Sequence, residues 1–173
     1  MTILKEGGNM DAAVSAAREK LKNVTPLKRD CGRICGARCC RPLDGEETGM
    51  LLFPTEAEAY EGKDGWEIRK TARGEMILCP GRCDREERPL SCRLFPLLPL
   101  AGENDGIRVV TDRRAKAVCP LARQGKSAMD PAFTDAVREA GKLLLQSDGQ
   151  AMFLEMLEEE QEELKELQRA FRG

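Results

Sequence analysis

Seven of the eight cysteines in this chain fall in two short clusters, and there is no histidine. The first cluster is Cys31, Cys35, Cys39 and Cys40, in CGRICGARCC. The second is Cys79, Cys83 and Cys92, in CPGRCDREERPLSC, and Cys119 stands apart before Pro120. Thiols grouped this closely can reach one metal centre from a few turns of chain, and the metal itself favours their deprotonation. Without histidine such a centre is held by sulfur, with carboxylates as the only other side-chain ligands to hand. The same absence removes the commonest general base and every Ser-His or Cys-His nucleophilic pair. All eight cysteines are therefore candidate metal ligands, and the chain speaks more clearly of what it binds than of what it does.

Eight thiols match two four-thiolate zinc sites, and equally one four-cysteine iron–sulfur cluster with four thiols to spare. Zinc is the expected metal and an iron–sulfur cluster the alternative; the spacing leaves both open. If the first cluster is helical, C-x3-C-x3-C puts Cys31, Cys35 and Cys39 on one face and turns Cys40 elsewhere. Gly32 and Gly36 each follow a cysteine, where a missing side chain lets backbone approach a metal closely. Arg33, Arg38, Arg41, Arg82, Arg88 and Arg93 all lie within a few residues of a cysteine. Guanidinium groups there would offset the surplus negative charge of a thiolate centre, and Arg93, between Cys92 and Phe95-Pro96, is the strongest candidate. The two clusters are expected to meet in space, with Cys119 joining them.

The order C-x3-C-x3-C-C, a short apolar strand, T-E-A-E-A, then C-x3-C-x4-R-P-x2-C-R-x-F-P resembles the YkgJ-type cysteine-cluster family. The most specific piece is Arg88-Pro89-Leu90-Ser91-Cys92-Arg93-Leu94-Phe95-Pro96. The resemblance covers about residues 31–120, and three-residue gaps here replace the two-residue gaps common in the family's opening cluster. It implies a zinc- or iron-chelating domain and no particular reaction. Flagellin lysine-N-methylases carry a similar cluster, so the second reading is a component of a protein-modifying enzyme. Against an enzyme, the chain has neither a G-x-G-x-x-G turn nor a P-loop. Its nearby acids, Glu56, Glu58, Asp84 and Glu86, read as surface carboxylates. An iron–sulfur redox or sensor protein is the remaining alternative.

The elements that must position these residues predict an α+β fold with short strands, an N-terminal helix and a C-terminal helical hairpin. Asn9 or Asp11 caps a helix to about Leu21 or Lys22, with Val14, Ala17 and Leu21 on one face. A short strand is expected at Gly49–Pro54, then a helix to about Tyr60 opened by a Thr55/Glu58 capping box. Trp66–Lys70 and Met76–Cys79 read as a strand pair. Pro89, Pro96 and Pro99 predict an extended packed loop over Arg88–Leu100. Ile107–Thr111 reads as a strand. Asp130 and Pro131 open a helix to Gln146 with Phe133, Val137, Ala140 and Leu144 as its apolar stripe. A last helix, Gln150–Phe171, carries Phe153, Met156, Leu157, Leu164, Leu167 and Phe171 at helical spacing. Residues 1–128 are expected to form the cysteine domain and 129–173 the helix pair.

Length and balance narrow the partners. The 173 residues suit one domain, with aromatics at 4% and charged residues at 34%. The net charge of -2 gives no basic face for nucleic acid or an anionic membrane. The first residues lack the apolar run of a signal peptide, and no stretch has the length of a membrane span. A cytoplasmic setting, where thiols stay reduced, is expected, so the cysteines point to metal before disulfides. The partners expected are a metal ion and a protein partner or second copy along the C-terminal helix.

Overall fold

A computed structural model describes residues 10–41, 49–104 and 106–171. The expected α+β class is what forms: six helices and five strands among the described residues, with short 3-10 turns between them. Helix α1 (Ala12–Lys20) starts at Asp11, whose carboxylate accepts the Ala13 N–H at 2.7 Å. Asn9 lies outside the described residues. Asp11 also receives the Ser147 hydroxyl at 2.7 Å, and its own N–H donates to Thr55 Oγ1 at 2.8 Å, so one residue joins three distant segments.

The first sheet is antiparallel in the order β1 (Gly49–Leu51), β3 (Gly74–Leu78), β2 (Glu67–Thr71). A two-residue turn joins β2 to β3, with Thr71 opposite Gly74. The sheet covers a small core of Leu52, Ala57, Tyr60 and Ile77. Between β1 and β2 the expected capping box does not form. Thr55 takes φ +72, and its hydroxyl is used by Asp11 instead, so only a 3-10 turn (Ala57–Ala59) follows.

Arg88–Leu100 is more regular than its prolines suggest. Helix α3 (Leu90–Leu94) begins after Pro89, where a missing N–H costs nothing. A cis Phe95–Pro96 bond turns the chain into β4 (Leu97–Ala101), which pairs antiparallel with β5 (Ile107–Thr111). A two-stranded ribbon has only edge strands, so Pro99 opposite Val109 is tolerated there.

Helix α5 (Pro131–Leu144) is capped by Asp130, which accepts the Ala132 N–H at 3.0 Å. Its stripe Phe133, Val137, Ala140 and Leu144 is 0% exposed throughout. It packs on α1, β4 and β5. Gly141 makes the close approach possible, because a Cβ there would lie 2.6 Å from the Pro99 ring. Helix α6 (Asp148–Ala170) follows after three residues and packs on β4 through Phe153, Leu154 and Leu157. Helices on both sides of residue 128 thus feed one core. The distal half of α6 runs past it: Leu167 and Phe171 are 55% and 87% exposed. No helix among the described residues is long and apolar enough to cross a membrane.

Candidate functional site

The two cysteine clusters and Cys119 come together on one side of this frame, around Cys92. Cys31 precedes the single-turn helix α2 (Gly32–Cys35), whose last residue is Cys35. Gly36 and Ala37 then take left-handed φ values of 69° and 53°, which end the helix and reverse the chain. Cys39 is therefore not on the same helix face as Cys31 and Cys35, as the spacing suggested. It reaches the same cavity through a 3-10 turn, Arg38–Cys40. Cys79 leaves the end of β3, Cys83 precedes the 3-10 turn Arg85–Glu87, and Cys92 lies in α3. Cys119 precedes helix α4 (Pro120–Gln124).

Two cavities meet at these thiols. The first, of about 210 Å³, is lined by Cys31, Cys35, Cys39, Cys92 and Cys119 among apolar residues such as Leu21, Ile34 and Val118. The second, of about 460 Å³, takes Cys39, Cys40, Cys79, Cys83 and Cys92, with Trp66 and Met76. Cys39 and Cys92 belong to both walls. All eight cysteines are half-buried, and no two form a disulfide. As the side chains stand, no group of three or more Cys, Asp or Glu among the described residues is gathered tightly enough to hold a metal ion.

The thiols interact in a ladder. Cys83 pairs with Cys79, Cys79 with Cys40, and Cys40 with Cys39, the last pair with sulfurs 3.9 Å apart. The hydrogen bond between this pair lowers the Cys39 thiol below its ordinary pKa and pushes Cys40 up to about 11. Cys79 is raised by its bond to Cys40, and Cys83 strongly by its bond to Cys79. Burial raises Cys92 and Cys31, the latter helped by the charges of Cys35, Asp30 and Cys119.

Of the six arginines near the clusters, Arg88 is the one that serves both cavities. It lines each of them and hydrogen-bonds Cys83, and its buried Nε has no partner. Arg93 is committed elsewhere: it donates to the carbonyls of Arg88, Arg18 and Glu86 at 3.0, 3.2 and 2.6 Å. It pins the chain beside the first cavity rather than addressing a thiol. Arg33, Arg38, Arg41 and Arg82 are exposed.

Glu56 is a correction to the sequence reading. Far from being a surface carboxylate, it is 0% exposed. It accepts Arg18 Nη1 and the Leu90 N–H, both at 2.7 Å, and the Phe53 N–H at 3.3 Å. Tyr60 completes the group, sharing Arg18 Nη1 at 2.9 Å and donating to the Glu87 carbonyl at 2.6 Å. Its hydroxyl is pushed up to about 12, chiefly by burial. The signal was present: Phe53, Glu56 and Tyr60 recur at helical spacing with Leu52 and Ala57, which sets Glu56 on an apolar face. Glu58, Asp84 and Glu86 are exposed, as expected.

Comparison with protein-family models, with curated proteins and with solved structures finds no match to the chain.

Proposed function

We propose that this is a metal-binding protein whose cysteines hold zinc. The observation that carries the reading is the meeting of eight thiols from separate segments around two shared cavities, with the unpaired Arg88 Nε between them. The donor set suits zinc: sulfur only, with a cation to offset the charge of thiolates. The 3.9 Å between the Cys39 and Cys40 sulfurs is close to the roughly 3.8 Å edge of a tetrahedron with 2.3 Å bonds. A further support is the stretch from Leu27 to Arg41, which has no buried residue. Such a segment gains little from apolar burial, so ligation is a natural source of its order. The likeness of Arg88–Pro96 to the cysteine-cluster family points the same way, and the reading requires a reducing, cytoplasmic setting.

An iron–sulfur cluster is the second reading, since five cysteines line the first cavity and four suffice to hold one. Anaerobic purification with elemental analysis separates them. Zinc in a colourless protein is expected; iron with a brown colour would replace zinc by the cluster. Thiols that react equally fast with and without added metal would overturn both. A protein partner or second copy along α6 rests on exposed Leu167 and Phe171, and concentration-dependent sedimentation tests the second copy.

A further inference from the structure

We propose that the cysteines divide into two four-thiolate metal sites with a common wall, Cys31, Cys35 and Cys119 taking one ion, Cys40, Cys79 and Cys83 the other, and Cys39 and Cys92 on the wall completing one site each. The assignment rests on the metal-binding reading and adds the number of ions and the ligands of each.

The cavities supply most of the division. Cys31, Cys35 and Cys119 line only the first, and Cys40, Cys79 and Cys83 only the second. Each set is one thiol short of the four that a closed zinc site takes. Cys39 and Cys92, which line both, supply the missing ones. Cys39 stands between the sets: its sulfur lies 3.9 Å from that of Cys40, and it also interacts electrostatically with Cys31, Cys35 and Cys92. The 3-10 turn presents Cys40 to the second cavity alone, while its neighbour Cys39 lines both.

The division also makes mechanical sense. Each set ties part of the poorly buried 27–41 stretch to the body, the first set through Cys119 ahead of α4 and the second through Cys79 at the end of β3. Two zinc ions with four thiolates each leave surplus negative charge on both sides of Arg88, which lines both cavities.

Zinc counting on the full chain tests this. The chain is reconstituted anaerobically with zinc(II), and bound ions are counted by native mass spectrometry against a competing chelator. Two ions per chain are expected, one after C119S or C79S, and none after the double substitution. One zinc on the unsubstituted chain, or loss of both ions in either single variant, would overturn the division alone. No zinc uptake by the unsubstituted chain would overturn the metal-binding reading with it. If the variants do not fold, zinc is withdrawn stepwise from the unsubstituted chain and exposed thiols are alkylated. Labels should then appear in the two groups named above, and labels that cross between groups would contradict the assignment.

Discussion

The Glu56 carboxylate accepts the Leu90 N–H at 2.7 Å, and through that bond a fully buried acid holds the first turn of the helix that carries Cys92. Arg18 reaches the same oxygen from α1, also at 2.7 Å. Removing the carboxylate strands the guanidinium and two backbone amides, and breaking such a buried pair costs about 3–5 kcal/mol. Glu56→Ala is expected to lose stability on that scale in urea unfolding and to bind zinc less tightly. A loss under about 1 kcal/mol would show that the bond does not position α3.

The pH dependence of the same group has a definite sign. Burial raises the Glu56 carboxyl above its ordinary value, outweighing the Leu90 amide and Arg18. A proton held more tightly in the folded state stabilises the fold below the ordinary glutamate range. That contribution is lost as pH rises through the folded-state value. The stability of the unsubstituted chain relative to Glu56→Gln should therefore fall from about pH 4 upward and then level off. A relative gain over that window would mean that the ion pair dominates burial.

Gly141→Ala should destabilise the protein although alanine favours helix by roughly 0.5–1 kcal/mol. The new methyl would lie 2.6 Å from Pro99 Cβ and 3.1 Å from Ile107, where neither a proline ring nor the packed ribbon gives easily. Overpacking of this kind costs about 1–3 kcal/mol, so the net loss is expected near 1 kcal/mol by thermal or urea melting. A net gain would show that α5 can lift off β4 at little cost.

Metal removal should act first on the stretch with no apolar anchor. Lys28, Arg29, Arg33 and Arg38 offer trypsin sites in a segment without a buried residue. The zinc-loaded chain is expected to resist brief digestion there, and the chelated chain to be cut there before anywhere in α5. Equal cleavage with and without zinc would remove the metal as the source of order.

The frame was legible where periodicity met capping chemistry. Asp11, Asp130 and the 133–144 stripe announce α1 and α5 because a carboxylate cap and a one-sided apolar face have a single structural solution. The convergence of cysteines was legible from clustering alone. The partners of individual side chains were not. Thr55 is drawn from its expected cap by Asp11, 44 positions away, and Arg93 is spent on carbonyls that only the fold brings near it. Arg88 stands out only once the distant segments that surround it are assembled.

Zinc-edge X-ray absorption on the anaerobically purified, zinc-loaded chain tests the central claim most directly. An all-sulfur shell of about four atoms at roughly 2.3 Å is expected, since the chain has no histidine to contribute nitrogen. A shell of nitrogen or oxygen near 2.0 Å, or no zinc edge above background, would contradict it.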